Sequence, residues 1–386
     1  MTLSHYLDYN ATAPIRPGVG EAVADALVLT GNPSSVHECG RRARACVEEA
    51  RAQVAALVGT VPANVVFTGS GSEANNLALS GSRPTCILAS AIEHPSILRP
   101  AAERPGGFAL IPVDSNGVVD LGALKELLTE NSDSLVLVTV MMANNETGVL
   151  QPSEKLVDIA KGAGAIIHID AVQAAGRIPL AFDELGADLM SISAHKLGGP
   201  KGVGALIKRA ETVLAPLIAG GGQESNLRAG TENIPGIAGF GSAAQAALAE
   251  LADGAEIERQ HALRDQLEAT IMAAIPAAVV VGGQGLRLAN TSCIAFPGFA
   301  AETLVIGFDL EGVAISAGSA CSSGKVEASH VLAAMDLEPG IASSAIRVSL
   351  GFATTVDDIE AFTTACRAVL GRNAGADVVD TPRQPA

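Results

Sequence analysis

Tryptophan is absent from this 386-residue chain, tyrosine occurs twice, and aromatic residues make up only 3% of it. The hydrophobic 48% is therefore mostly Ala, Val, Leu and Ile, which can bury a sizeable core without aromatic anchors. Positive charge is also scarce: 25 Lys and Arg face 41 Asp and Glu, a net charge of −16. A nucleic-acid face needs a basic stripe, and none is present. Arg41, Arg42 and Arg44 open an amphipathic helix and are offset by Glu48 and Glu49, so they read as a solvated face. No uncharged apolar run approaches the ~20 residues of a membrane helix; segment 271–282 is short and carries Pro276. The start, through Asp8, has neither the basic nor the apolar region of a signal peptide, so the expectation is a soluble, cytoplasmic protein. The six cysteines form no CxxC pair, which argues against a zinc site or a disulfide framework. Most of them should be small buried hydrophobes. The 41 glycines are spread along the chain as turn residues.

The length suits one large or two modest domains. Helix and strand patterns alternate through the first two-thirds. Residues 41–58 place Ala43, Val47, Ala50, Val54 and Leu57 at helical spacing. Apolar runs at 65–68, 86–89, 135–140, 165–169, 187–192 and 203–207 read as strands, with helices capped by Asp120 and by Ser153, the latter ended by Gly164. This βα alternation predicts a mostly parallel sheet covered on both faces. A long Ala-rich helix over 236–275 is expected to break near Gly254. Beyond it, strands near 278–281, 291–296 and 345–349 mix with helices at 301–311, 326–335 and 356–370, as in a smaller α+β domain. The polar tail from Gly371 reads as disordered.

Ligands of open α/β sheets sit beyond the carboxyl ends of the strands, so polar residues there are the candidates. Gly69-Ser70-Gly71-Ser72-Glu73 follows one strand and opens a helix, whose free N–H groups suit a phosphate; an ordinary strand-to-helix turn fits equally. Asp170 closes a buried strand, where a carboxylate is costly unless it meets a cation such as a protonated pyridine nitrogen, and Gln173 follows it. Lys196, one of seven lysines, stands just past another strand, where desolvation favours a nucleophilic amine suited to a Schiff base; Lys201 is the alternative. Ser193 and His195 flank it as further phosphate contacts. His94 is a candidate acid–base or ring-stacking group. Cys321 lies in a loop of small residues with no bulky apolar neighbour, the setting of a reactive thiol. Arg347, within a strand, suits a carboxylate clamp.

In order along the chain stand GNPSSVH (31–37), EH (93–94), NNETG (144–148), HIDAVQ (168–173), SAHKLGGPKGVG (193–204), RAGTEN (228–233) and SAGSACSS (316–323). Carrying these motifs, the sequence closely resembles the cysteine desulfurases of the NifS/IscS branch, within the class V aminotransferase-like pyridoxal-phosphate (PLP) enzymes. The likeness runs from Tyr6 to about Thr355. It implies the aspartate aminotransferase-like fold of PLP-dependent transferases: a large α/β domain over 15–255, and a small α+β domain from 1–14 and 256–370 carrying the Cys321 loop.

The resemblance further implies that Lys196 holds PLP, that Asp170 pairs with the pyridine nitrogen, Gln173 with the ring hydroxyl, and that His94 stacks on the ring and moves protons. Gly71, Ser72, Ser193 and His195 would bind the phosphate, joined by Thr231 from a partner subunit, which implies a homodimer. Asn145 and Arg347 would hold the carboxylate of L-cysteine, with Asn32 and His37 near the entrance. Cys321 would take the sulfur as a persulfide, leaving alanine, and pass it to an acceptor protein that the sequence does not identify. The chain departs from the family pattern at Ser225 and Asn226, where relatives usually carry an Arg, and at Ala328, where many have Pro. Its tail is short. Two other readings remain at this point: selenocysteine lyase or another class V PLP activity, and a non-catalytic scaffold that kept the fold.

Overall fold

The structure is a computed structural model and describes residues 5–318 and 329–374, with side chains through Gly371. Cys321 lies outside the described residues, as do 375–386 of the expected tail and 326–328 of the helix expected at 326–335.

Seven strands form the central sheet, in the order Val65–Thr68, Gly204–Lys208, Leu189–Ser193, Ile166–Asp170, Val136–Met141, Cys86–Ser90, Gly107–Ile111. All run parallel except Gly204–Lys208, which is antiparallel to both its neighbours. Their near-continuous apolar sequences follow from helices covering both faces. On one face Phe67, Leu88, Val138, Ile167, Met190 and Ile207 pack with Val47, Val54, Phe240 and Ala244 of the helices Glu38–Val58 and Ile234–Asp253. On the other, Val66, Leu189 and Leu206 meet Ala74, Leu77 and Ala78 of the helix Gly71–Gly81. Alternation along each strand divides these two sets.

Five strands end one residue beyond the runs expected for them, at Ser90, Met141, Asp170, Ser193 and Lys208. Asp170 and Ser193 therefore belong to the ladder itself rather than to the loops after it. Burial favours apolar residues only until the strand reaches the site, where polar side chains take over within the same hydrogen-bonded strand. Other details also shift. The helix expected from residue 41 starts at Glu38, because the His37 side chain accepts a bond from Gly40 N. Ser153 is the first residue of its helix, not the cap; that position belongs to Pro152. Asp120 does cap, accepting from Gly122 N and Ala123 N. The long helix breaks at Gly254, whose φ of 76° is left-handed, so Ile234–Asp253 and Ala255–Ala274 diverge there.

The second region is a four-stranded antiparallel sheet, in the order Ser316–Ala317, Ala345–Ser349, Thr291–Ala295, Val279–Val280. Its core uses the few aromatics available: Phe308 and Phe362 stack with centroids 4.8 Å apart. The last helix, Val356–Ala374, runs past the expected end at 370, so the first part of the presumed disordered tail is helical. The N-terminal strand His5–Tyr6 pairs with Val313–Ala314. The chain then threads between the regions: Tyr9 N bonds Ser349 O, and Ala13 N bonds His195 O.

Candidate active site

The carboxyl edge of the central sheet opens into a cavity of about 280 Å³ whose lining includes Asn10, Gly71, Ser72, Asn75, His94, Asn145, Asp170, Gln173, Ser193, His195, Lys196 and Arg347. Most candidates separated by long stretches of sequence thus converge. Two roomier hollows, of about 580 and 520 Å³, lie on other faces and contain none of these residues. The cavity is preferred because ligand sites of such folds lie at strand ends.

At one end the helix Gly71–Gly81 aims its N-terminus into the cavity, with Ser70 capping through Glu73 N. A Cβ on Gly71 would sit 3.0 Å from Val172 Cγ2 and 3.1 Å from Ser193 Cβ, so a side chain there would press on both as the helix starts against the strand ends. Ser193 Oγ is buried with no hydrogen-bond partner among the described residues. Leaving such a hydroxyl unpaired costs about 1–3 kcal/mol, which a ligand oxygen would recover. His195 is held neutral: burial first, then the charges of Lys196, Lys201 and Arg177, lower its pKa to about 4. Helix amides, an unpaired hydroxyl and a neutral imidazole fit a phosphate.

Deeper in the cavity Asp170 is 5% exposed. Its Oδ1 accepts from Val172 N at 2.9 Å and its Oδ2 from Asn75 Nδ2 at 2.8 Å. The same Asn75 nitrogen reaches Ser96 Oγ at 2.9 Å, and Ser96 Oγ lies 2.8 Å from His94 Nδ1. His94 Nδ1 also accepts from Ser96 N, which assigns the neutral ring's proton to Nε2. Burial is the main force lowering the His94 pKa; Asp170 opposes it, while Lys196 and His330 add to it. A buried carboxylate beside a neutral ring suits a flat cationic heterocycle.

Lys196 follows Ser193 in a short 3₁₀ turn, and its Nζ donates to the carbonyls of Asn10 and of Ala11. Lys201, the alternative amine, is exposed and absent from the cavity lining. Gln173 donates from Nε2 to Asn10 O at 3.0 Å, and its Oε1 accepts from Arg177. That fixes the amide with its nitrogen free to donate once more. On the opposite wall Arg347 is 5% exposed and bonds Asp8 Oδ1 at 2.8 Å and Asn145 O at 3.0 Å. Its Nε is buried without a partner among the described residues, so the guanidinium keeps donors for an anion although Asp8 shares it.

Some candidates stay apart. Thr231 is exposed and lies off the cavity of its own chain. Asn32 is also exposed, and its Oδ1 accepts from Ser34 N. His37 serves as a helix cap. The expectation of buried cysteines holds for Cys86, Cys293 and Cys366 but not for Cys39, which is exposed. Burial pushes the Cys293 thiol up to about 12. Among the described residues no group of three or more His, Cys, Asp or Glu could hold a metal, and no helix is long and apolar enough to cross a membrane.

Sequence reasoning gave no role to Asn10, Asn75 or Glu93, although Glu93 stands in the EH motif (93–94). Asn75 stands one helical turn after Gly71, and that spacing places both on one face. Glu93 is wholly buried, and burial together with Asp170 raises its pKa well above the carboxylate range. Its Oε1 accepts from Met141 N at 2.6 Å, while Oε2 has no partner among the described residues.

The chain belongs to the class-V aminotransferase family, whose model matches residues 5–362. It is 43% identical to a cysteine desulfurase IscS of Dictyoglomus turgidum over 364 residues, 92% of this chain and 91% of that one. A cysteine desulfurase of Nostoc sp. is 41% identical, with 92% and 90% covered. Among solved structures, a NifS-like protein from Rickettsia africae superposes with a TM-score of 0.88 at 38% identity, covering 95% of this chain and 99% of that one. Within the family the activity is therefore that of a cysteine desulfurase, and the cofactor is PLP.

Proposed function

We propose that the cavity takes the sulfur atom of L-cysteine onto Cys321, releasing L-alanine and leaving a Cys321 persulfide. The observation that carries this is the convergence on one cavity of Lys196, Asp170 and the Ser193 hydroxyl, which has no partner among the described residues. Lys196 holds PLP through its amine. Gly71, Ser72, Ser193 and His195 would take the phosphate, the Asp170 carboxylate would keep a proton on the pyridine nitrogen, and Gln173 Nε2 would donate to the ring hydroxyl. When bound, PLP supplies an electron sink that lets the substrate α-proton leave.

The remaining work falls to the protein. His94, whose pKa burial lowers, would stack on the cofactor ring and relay protons at Nε2. Arg347 and Asn145 orient the substrate carboxylate, with Asn32 near the entrance. The Cys321 thiolate attacks the substrate Sγ. As the S–S bond forms, the Sγ–Cβ bond breaks and its electron pair stays with the carbon; a proton added at Cβ and the return of a proton to Cα together yield alanine. Sulfur is oxidised and carbon reduced within one exchange, so no external oxidant is needed.

The partner subunit's Thr231 completes the phosphate site in a homodimer. This reading is supported by the exposure of Thr231 in its own chain. The division into 15–255 and 1–14 with 256–370 belongs to the same reading. In its support, one main core draws on Val19 to Ala247 with Leu288, and the other on Leu7 and Leu263 to Leu370. The persulfide serves a cytoplasmic acceptor for iron–sulfur cluster or thio-cofactor synthesis. The test is to give the PLP-loaded protein L-cysteine and a reductant and to assay alanine and sulfide together. Equal amounts of both are expected; a PLP-loaded protein that makes neither contradicts the proposal.

A further inference from the structure

Glu146 sits in the turn after the strand Val136–Met141 and is only 2% exposed. Asn144 Oδ1 accepts from Glu146 N at 2.9 Å and Thr147 N at 3.0 Å, and so sets the turn. The neighbouring Asn145 carbonyl accepts from Arg347 and from Asn10 Nδ2. The backbone that carries Glu146 is thus fixed to the cavity wall.

Its side chain points away from the cavity wall, into the second region. Ser329 Oγ donates to Glu146 Oε2 at 2.6 Å. The same oxygen lies against Gly318 so closely that a methyl group there would overlap it, and that methyl would also come 3.1 Å from Ser329 Cβ. Gly318 and Ser329 are the described residues on either side of the stretch that contains Cys321. One carboxyl oxygen therefore touches both stems. A second tie holds the later stem: His330 Nε2 is 2.8 Å from Glu93 O, next to His94. Burial raises the Glu146 pKa, against the pull of Ser329, His330 and Arg347.

We propose that Glu146 is a positioning residue for sulfur transfer: its carboxyl fastens Gly318 and Ser329, the two stems flanking Cys321, to the turn that lines the substrate cavity. The reach of a segment depends on where its ends are fixed, and a displacement of about 1 Å at a reacting group can cost about 10²-fold in rate. Gly318 is glycine because any side chain would displace the carboxyl. The inference rests on the desulfurase reading and deepens it.

The test uses the PLP-loaded enzyme with Glu146→Ala, Glu146→Gln and Gly318→Ala. Three quantities are measured: the visible cofactor band, kcat and KM for alanine release, and the rate at which iodoacetamide labels the Cys321 peptide, read by mass spectrometry. Glu146→Ala and Gly318→Ala should keep the cofactor band and KM while kcat falls by about 10²-fold and the labelling rate changes. Glu146→Gln, which still offers an oxygen to Ser329, should recover kcat to within about tenfold of wild type, a difference of about 1.4 kcal/mol. Wild-type kcat in the Ala variants, or loss of the cofactor band together with kcat, would overturn the inference. If wild type itself releases no alanine, the desulfurase reading fails instead, and the labelling rates still decide whether Glu146 governs Cys321.

Discussion

The two regions place their polar groups by different means. The seven-stranded sheet places Asp170 and Ser193 inside its hydrogen-bonded ladder and Lys196 in the turn that follows. Their positions are set by backbone pairing and by the apolar layers beneath. The four-stranded region contributes one strand residue, Arg347, and the two stems Gly318 and Ser329, which meet the cavity through side-chain bonds to Asp8, Asn145 and Glu146. Arg347 too sits in a ladder, opposite Cys293 and Ser316, but its guanidinium and the Gly318 and Ser329 stems reach the cavity wall through a few polar contacts across the boundary, whereas Asp170 and Ser193 stand at the site by strand pairing. A cofactor that stays and a sulfur that must be handed on call for that contrast.

Substitutions on the first side should act on cofactor and rate together. Lys196→Ala should have the largest effect: no covalently held cofactor, seen as loss of the internal visible band, and no measurable alanine. Asp170→Asn keeps shape but removes the buried charge, and kcat should fall by at least about 10²-fold; a variant as fast as wild type would break the assignment. On the second side, Arg347→Lys should spare the cofactor band and raise KM for L-cysteine by about tenfold, because a lysine cannot reproduce the planar fork. An unchanged KM would show that Arg347 serves Asp8 alone.

The smallest effect concerns Glu93, whose carboxyl is pushed by burial, and then by Asp170, well above its ordinary value of 4.5. The folded state then binds a proton more tightly than the unfolded one, so stability is full below about 4.5 and declines as pH rises from there toward the folded value. Glu93→Gln mimics the neutral form and should remove that decline. Thermal melts at acidic pH should match wild type, and at higher pH the variant should melt above it. A variant that melts lower across the range would show that the ionised carboxylate is the stabilising form.

Most of the large sheet was legible because buried parallel strands are apolar on both faces and end abruptly in polar residues. The edge strand Gly107–Ile111 was not, since it is partly exposed and opens on glycine, leaving no apolar run. The helix Val19–Leu27 was also missed; it buries only Val19 and Ala26 and has no side-chain cap. In the site, Asp170, Ser193, His195 and Lys196 could be read because each stands at a strand end. Asn10 could not, because the N-terminal segment reaches the cavity through contacts with residues far away in sequence, among them Gln173, Lys196 and Ser349. Asn75 resembled any helix-surface amide until packing turned it toward Asp170.

The central claim is that sulfur leaves cysteine for Cys321. One turnover of the PLP-loaded wild type and of Cys321→Ala with L-cysteine, without reductant, tests it directly by intact-peptide mass spectrometry and alanine assay. The account predicts that wild type gains the mass of one sulfur atom on the Cys321 peptide for each alanine released, while Cys321→Ala keeps its cofactor band and releases none. Alanine from Cys321→Ala at the wild-type rate, or a wild-type peptide that gains no sulfur while alanine accumulates, would contradict it.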